Sequence, residues 1–498
     1  ALAIGGIELK NADITWDDRV AATLIHLTEM NLNTGEIRFD QGIPIKFDTH
    51  FTMNGNELIG DMKASARATI DKGLKKVRLD KLENSVEATG NLLQGGRLSQ
   101  EVSANADINL DGPVIAMQGA KLTIGTSGGA LGDTRAKTTF TSDINVNLAT
   151  QKISLSGTDL VLDADGEMLE GGKASAKMTS NVNMDLADLK VTLNNTDLVA
   201  NLDGPLLEGG TLVATVKSDI LVDLNSMMLT SKSVDSVIDM ASSMVPVNPM
   251  KVTLSTPLTV NLNELAIDMP ALKYDIPGSQ GTGSLKLSKF DQPLPAVVLK
   301  LDTPEFIADP WLGEEASKAA FGQPQDTNII AHGLIQTAIA QTAAATGAGA
   351  VDIPVELLRD LDIDAQLTMA SFKMQTLNAT DVKAVLKGKK SVTKFEPMSA
   401  KLFGGTFDGL IHIDATGKLP KLRLKENLAG IQIAEAIEYA MSDSATDWLT
   451  GTGEVTADIT TQGLDTGAMT QALNGKVNAV VRDGYLEGIS LRKLIDQA

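Results

Sequence analysis

The sequence predicts a mainly β protein, built as a long antiparallel meander of hairpin repeats about 38 residues long and curved into an open apolar groove. A few helices and a smaller carboxy-terminal α+β block complete the predicted fold. Three observations support it: apolar and polar residues alternate, the alternation recurs at a fixed spacing, and glycine-rich turns recur at the same spacing, which we call the repeat period.

The alternation is clearest in residues 173–186, KASAKMTSNVNMDL. Every even position, from Ala174 to Leu186, is apolar or small, and every odd position is polar. Because successive side chains on a β-strand point to opposite faces, this stretch predicts one strand with an apolar face and a polar face. At about 3.4 Å per residue, such a strand is roughly 45 Å long.

The same pattern recurs one repeat period earlier, at 135–148, and one repeat period later, at 211–224. The assignment of faces is preserved, since Phe140, Met178 and Val216 occupy equivalent positions. A fixed period that keeps side chains on the same face is typical of a repeat architecture.

Return strands are predicted at 152–165 and 190–203, again separated by one repeat period. In both, the apolar positions change parity midway, at Gly157 and Asn195, which is the effect of a β-bulge. Paired glycines, which permit the positive φ angles of tight connections, predict turns between the hairpins. These turns are LLQGG, MLEGG and LLEGG at 92–96, 168–172 and 206–210.

Outside these repeats the pattern is less regular. Strands are expected at 7–14 and 21–33, with about a dozen strands by residue 230. Residues 231–245 have apolar spacing that predicts a helical turn or two, ended by Pro246. Other helices are predicted at 313–321, 327–346, 354–358, 431–441 and 488–497, and the later strands at 251–268, 283–289, 362–369, 381–386, 453–461 and 475–482, with a hairpin at 402–417.

The predicted domains are a repeat meander over 1–305, a helical lid or plug over 306–352 and a carboxy-terminal block over 353–498. The helix at 327–346 has two readings that the sequence leaves open. It either covers part of the groove or simply seals the end of the array as a core helix.

The composition argues against several classes of function. The net charge is −20 without a basic cluster, which disfavours nucleic-acid binding. The chain has no cysteine and four histidines without ligand spacing, so we expect no metal site, no catalytic residues and no cofactor. Residues 163–167 and 201–205 are predicted as turns, because the oxygen ligands of a calcium loop are incomplete there.

Residues 354–498 resemble the AsmA family of bacterial envelope proteins. The resemblance rests on LLRDLDIDAQLTMASFKM (357–374), FEPMSAKLFGGTFDGLIHIDATGKLP (395–420), LTGTGEVTADITTQG (449–463) and LNGKVNAVVRDGYLEGISL (473–491), with a further likeness at 4–19. It implies a periplasmic protein of outer-membrane biogenesis, anchored in the inner membrane, with kinship to bridge-like lipid-transfer proteins of repeated β-grooves. We expect the anchoring amino-terminal helix to lie outside this sequence.

Two hypotheses for function remain open, because an apolar sheet face in water is covered either by the protein itself or by a ligand. In the first, the chain is a non-enzymatic periplasmic protein that binds and transfers phospholipid or another acyl lipid along its groove. In the second, it is a structural scaffold or self-assembling envelope protein with a self-filled β core, which also predicts homo-oligomers. Few aromatics, at 3%, and many small or flexible side chains favour the groove.

The predicted lipid-binding residues are the apolar positions of the three matching strands. They are Phe140, Ile144, Val146, Leu148, Met178, Val182, Met184, Leu186, Val216, Ile220, Val222 and Leu224. Ser142, Ser180 and Ser218 interrupt this apolar face. They either mark a polar line for bridging water or bond to nearby backbone groups.

Overall fold

A computed structural model describes residues 5–292, 294–312, 355–441 and 450–485. The helices predicted at 313–321, 327–346 and 488–497 lie outside these described residues. The chain forms two compact units, Ala1–Lys251 and Val252–Ala498. The predicted domains 1–305, 306–352 and 353–498 stay a prediction.

The first unit is an antiparallel meander in which each strand pairs with the next along the chain. Its strands are β1 (Glu8–Asp18), β2 (Thr23–Thr34), β3 (Gly42–Met53), β4 (Leu58–Ile70), β5 (Lys76–Thr89), β6 (Arg97–Asn109), β7 (Val114–Ser127), β8 (Arg135–Asn147), β9 (Lys152–Asp165), β10 (Lys173–Asp185), β11 (Lys190–Gly204), β12 (Gly210–Asp223) and β13 (Met228–Ala241). The predicted open meander of long hairpins is therefore confirmed, with twelve strands complete by Asp223.

Four alternate strands, β5, β7, β9 and β11, each contain a bulge at the equivalent position, and the bulge residue has a positive φ. The positions are Lys81, Gly119, Gly157 and Asn195, each one repeat period after the one before. Each bulge N–H donates to a side-chain oxygen on the following strand, and the acceptors are Asn105, Asp143, Asn181 and Asp219, at 2.9, 2.7, 3.0 and 2.6 Å. The predicted parity shift is confirmed: each bulge returns the apolar residues of both strand halves to the same face.

We expect Asn181→Ala to destabilise the protein by about 1 kcal/mol, because the N–H of Gly157 loses its acceptor. The free energy of unfolding in urea measures the effect. Asn183→Ala is the matched control, since Asn183 lies on the same polar face of β10 and its side chain caps no bulge. Equal stability of the two variants would contradict the role given to the Asn181 side chain.

Short 3-10 helices connect the hairpins along one rim, again at intervals of one repeat period. They span Asn91–Leu93, Gly129–Leu131, Glu167–Leu169 and Pro205–Leu207. The paired glycines after them have different roles. Gly171 has a φ of +84°, whereas a Cβ on Gly172 would lie 2.5 Å from the carbonyl oxygen of Asp203 on the next hairpin. Only the first glycine of this pair therefore adopts the positive φ that the sequence predicts, and the second is required by the close approach of the next hairpin.

The helix predicted at 231–245 is wrong, since β13 continues as a strand to Ala241. Pairing with β12 places Val234, Ile238 and Met240 on the apolar face of the sheet. The helical spacing of these residues is overridden because β13 hydrogen bonds along nearly the whole of β12. The repeat period predicts the same outcome, since their equivalents one repeat earlier lie in strand β11.

The second unit contains β14 to β24, with the first two residues of β14 belonging to the first unit. The strands are β14 (Met250–Asn261), β15 (Ala266–Ile276), β16 (Ser279–Ser288), β17 (Ala296–Ile307), β18 (Ile363–Met374), β19 (Leu377–Lys389), β20 (Val392–Leu402), β21 (Gly405–Asp414), β22 (Lys421–Gln432), β23 (Thr452–Gln462) and β24 (Asn474–Arg482). Successive strands pair antiparallel, except that β17 and β18 are parallel. A further 3-10 helix spans Asp309–Trp311.

Three short helices occur among the described residues of the second unit: α1 (Val355–Asp360), α2 (Ile433–Met441) and α3 (Thr466–Gln471). The first two match helices predicted from the sequence. One cluster of buried apolar residues forms where β22 runs into α2, around Ile431 and Ile433. A second forms between β22 and β23, around Leu424 and Ile459. No helix within the described ranges is long and apolar enough to cross a membrane.

Candidate functional site

The apolar face of the first unit is built from rows of side chains that run across the strands. We name each row after its member on β10. The Met184 row crosses ten strands and contains only aliphatic residues and Met. Its members are Ile70, Val77, Ile108, Ile115, Val146, Ile153, Met184, Val191, Val222 and Leu229. Every one is half-buried, so this row is continuous and partly open to solvent.

Two further rows run parallel to it. The Val182 row contains Ile43, Ala68, Leu79, Ala106, Met117, Ile144, Leu155, Val182, Leu193 and Ile220. The Met178 row contains Phe47, Ala64, Asn84, Val102, Leu122, Phe140, Leu160, Met178, Leu198 and Val216. Asn84 is the single polar member of these two rows, so the apolar surface extends across most of the unit.

Small side chains lie between the Val182 and Met178 rows, in line with the bulges. This bulge line contains Ala104, Ala120, Ser142, Thr158, Ser180 and Thr196, which are all buried. Since taller side chains flank it on both sides from β7 to β11, the line forms the floor of a trough there. Because a bulge bends its strand, the aligned bulges also crease the sheet along this line. The arrangement is an apolar groove that runs across the strands.

The serines of the trough are hydrogen bonded within the protein. Ser180 Oγ lies 2.9 Å from the hydroxyl of Thr196 and 3.3 Å from the carbonyl oxygen of Asn194. Ser142 repeats the arrangement with Thr158, at 3.0 Å. Of the two sequence-based readings, the structure supports bonding to nearby groups. Since the hydroxyls of Ser142 and Ser180 have partners, the trough floor presents few free polar groups to a ligand.

The opposite face of the sheet is polar and charged. Lys177 pairs with Asp159 at 2.9 Å and Lys217 with Asp197 at 3.5 Å. A cleft of about 730 Å³ opens on this side, and its charged lining mixes both signs: Lys46, Asp48, Lys63, Glu83, Glu101 and Lys121. This mixture suits neither an acyl chain nor a polyanion, so the cleft is not the candidate site.

The structure brings nine of the twelve predicted lipid-binding residues together on the apolar face. They occupy the three rows in sets of three: Phe140, Met178 and Val216; Ile144, Val182 and Ile220; Val146, Met184 and Val222. Val182 is 7% exposed, and the other eight are half-buried. Whether they contact lipid stays a prediction.

The remaining three, Leu148, Leu186 and Leu224, lie just beyond the ends of their strands, at one rim of the sheet. They are 56%, 49% and 46% exposed. Their backbone N–H groups donate to the carbonyl oxygens of the preceding turn, each at 2.9 Å. The leucines therefore form an ordered, exposed line along the rim, and Leu110 continues it one repeat earlier.

Turns with a side-chain cap fix this rim. Asp185 accepts hydrogen bonds from the N–H groups of Asp188 and Ala187, each at 3.1 Å. The bond from Asp188, together with the ammonium of Lys152 at 3.3 Å, lowers the pKa of Asp185 below its ordinary value. The equivalent Asn147 and Asp223 cap their own turns in the same way.

No helix of the first unit covers the apolar face, as far as residues 5–251 are described. Both clusters of buried apolar side chains found in the described ranges lie in the second unit. The predicted lid at 327–346 lies outside the described residues. No group of side chains suited to hold a metal ion occurs within the described part of the chain.

The AsmA family model matches residues 1–498, the whole of this sequence. The chain belongs to the AsmA family. The family match thus extends well beyond the carboxy-terminal motifs that carry the resemblance in the sequence. Protein AsmA of Escherichia coli (strain K12) is 24% identical over 144 residues, which is 28% of this AsmA-family chain and 22% of the E. coli protein.

Sequence reasoning missed two features of the site. The bulge caps Asn105, Asp143, Asn181 and Asp219 recur once per repeat period, so their spacing is a signal that could reveal them. The rim leucines share that period, but their position outside the strands depends on where each turn begins. Alternation alone does not define that point.

Proposed function

We propose that this AsmA-family protein is a non-enzymatic, periplasmic lipid-binding and transfer protein that serves outer-membrane biogenesis. Acyl chains of phospholipid or another acyl lipid lie along the apolar face, on the Met184 row and in the trough beside it, and the polar groups of the lipid remain hydrated. The observation that carries the proposal is the Met184 row, an unbroken line of half-buried apolar side chains across ten strands.

The free-energy cost of apolar surface in contact with water supports this proposal. Exposed apolar surface costs about 25 cal/mol per Å², so ten half-buried side chains that each leave roughly 40 Å² in water cost on the order of 10 kcal/mol. A bound acyl chain removes that cost without distorting the sheet. The Met side chains of the rows, Met117, Met178 and Met184, adapt to chains of different shape. Transfer then consists of movement along rows that keep the same chemical character from one repeat to the next.

The cellular setting is part of the proposal. Family membership and the resemblance to envelope proteins support a periplasmic location, with an inner-membrane anchor outside this sequence. The absence of cysteine is compatible with the oxidising periplasm. The charge of −20 keeps the polar face soluble and argues against nucleic acid as a partner.

One observation favours a second candidate, a scaffold that assembles through its rim. The exposed leucines Leu110, Leu148, Leu186 and Leu224 form a regular apolar edge in the first unit. A regular exposed apolar edge is typical of a surface that contacts a partner, including a second copy of the chain. In this candidate the protein forms homo-oligomers and binds no lipid.

Native mass spectrometry of protein purified without detergent distinguishes the two candidates. The lipid-binding function predicts extra mass equal to one or more acyl lipids, which organic extraction recovers and identifies. The scaffold predicts lipid-free homo-oligomers of regular size. A lipid-free protein whose organic extract is also empty would overturn the lipid-binding function.

A further inference from the structure

We propose that the apolar face of the second unit contains a separate site for an amphiphile with a primary ammonium group, and that Glu426 is its polar anchor. This site would select the head group, which the rows of the first unit leave undefined. That the amphiphile carries an acyl chain rests on the proposed function, whereas the ammonium group is inferred independently of it. Glu426 is one carboxyl group on an otherwise apolar sheet face.

Register places Glu426 on the apolar face. It lies on β22, opposite Gly409 of β21 and Ala457 of β23. Leu424 and Leu428, two positions away on either side, belong to the two separate clusters of buried apolar residues. The carboxyl group thus occupies the gap between those clusters, and a glycine and an alanine are its lateral neighbours.

The carboxyl group of Glu426 has no hydrogen bond or ion pair with any described residue. The basic residues of β22, Lys421, Arg423 and Lys425, alternate with the apolar positions and lie on the opposite face. Burial among apolar side chains raises the pKa of Glu426 above its ordinary value. Among the described residues, none supplies a cation to a carboxylate in this position, and an external ammonium would supply one.

An aromatic ring lies on the same face. A Cβ on Gly409 would be 2.6 Å from Cζ of Phe407, so the ring extends over Gly409, the residue opposite Glu426. Both Cε atoms of Phe407 would lie 3.3 Å from that Cβ, so the ring presents its tip to Gly409 and adds apolar surface to the gap. The unpaired carboxylate is thus the feature of this gap that favours a cation, because an anionic or uncharged head group gains nothing from it.

Glu426 is the one charged residue that the described strands around it present on this face. Register assigns only uncharged residues to this face from β20, β21, β23 and β24 around Glu426. On α2, Glu435 is exposed and Tyr439 packs on Phe403. At the start of α3, Asp465 caps the helix by accepting from the N–H of Ala468 at 2.8 Å.

The test compares binding of n-dodecylammonium and dodecanoate, below their micelle concentrations, to the whole chain by isothermal titration. Wild type should prefer the ammonium, and Glu426→Gln should lose about tenfold in ammonium affinity while its dodecanoate affinity stays unchanged or rises. Glu454→Gln is the matched control, because Glu454 lies on the polar face of β23, 3.5 Å from Arg482. A second variant, Glu426→Leu, should show the same loss as Glu426→Gln.

The pH profile provides a second readout. Ammonium binding by wild type should strengthen as pH rises through the raised pKa of Glu426, and the profile of Glu426→Gln should be flat over that interval. Equal affinities of wild type and Glu426→Gln, with both amphiphiles bound, would overturn this inference and leave the lipid-binding function standing. If neither amphiphile binds wild type, both proposals fail.

Discussion

Replacing Val146, Met184 and Val222 together with aspartate is expected to abolish recovery of acyl lipid with the protein. The three residues are neighbours in the Met184 row, each one hairpin apart, so the variant interrupts the row across five strands. A carboxylate beside an acyl chain costs about 1–3 kcal/mol, and three of them reduce affinity by roughly a hundredfold or more. Lipid extracted per mole of purified protein measures the loss.

The matched control places aspartate at the same strand positions on the opposite face. Asn145, Asn183 and Leu221 form one row there, because they pair through Ser154 and Thr192. This control should retain wild-type lipid content. Circular dichroism should show the same strand content in all three proteins. If the control and the apolar-face variant lose lipid equally, net charge rather than the apolar face governs binding.

Removal of one complete repeat is expected to be tolerated, whereas removal of one residue fewer is not. Deleting residues 143–180, which is one full repeat period, joins Ser142 of β8 to Asn181 of β10 and keeps Val182 on the apolar face. Deleting residues 144–180 shifts the second half of that strand by one position. Val182 and Met184 then face water, and their polar neighbours Asn183 and Asp185 turn to the apolar face.

Unfolding in urea measures the difference between the two deletions. The full-repeat deletion should unfold at nearly the same urea concentration as the full chain, because nearest-neighbour contacts between hairpins are retained. The shorter deletion should lose about 4 kcal/mol or more, from two exposed apolar side chains and two misplaced polar ones. Equal stability of the two deletions would show that the repeat does not fix the register.

Much of the first unit could be predicted because one physical constraint repeats. Each strand from β8 to β12 must keep its apolar residues on one face, so alternation and the repeat period together determine strand positions and the bulges at Gly157 and Asn195. The helix predicted at 231–245 is wrong because helical spacing is a local signal, while β13 pairs with β12 over nearly its whole length.

Other features could not be predicted, because they depend on contacts between distant parts of the chain. Gly172 is required by the carbonyl oxygen of Asp203 on the next hairpin, and spacing alone does not reveal that approach. The parallel pairing of β17 with β18 joins strands that lie far apart in the sequence. In the sequence, Glu426 is indistinguishable from an exposed charged residue. Only the strand register shows that it lies between Gly409 and Ala457 on the apolar face.

Photo-crosslinking at single positions of β10 shows whether lipid lies on the apolar face of the first unit. The photoreactive amino acid p-benzoylphenylalanine replaces Met184 on the apolar face in one protein and Asn183 on the polar face in another. After irradiation of intact cells, lipid attached at position 184 and not at position 183 is the result that we predict. Lipid attached at neither position, or crosslinks at position 184 that join two copies of the chain without lipid, would contradict a lipid-binding face.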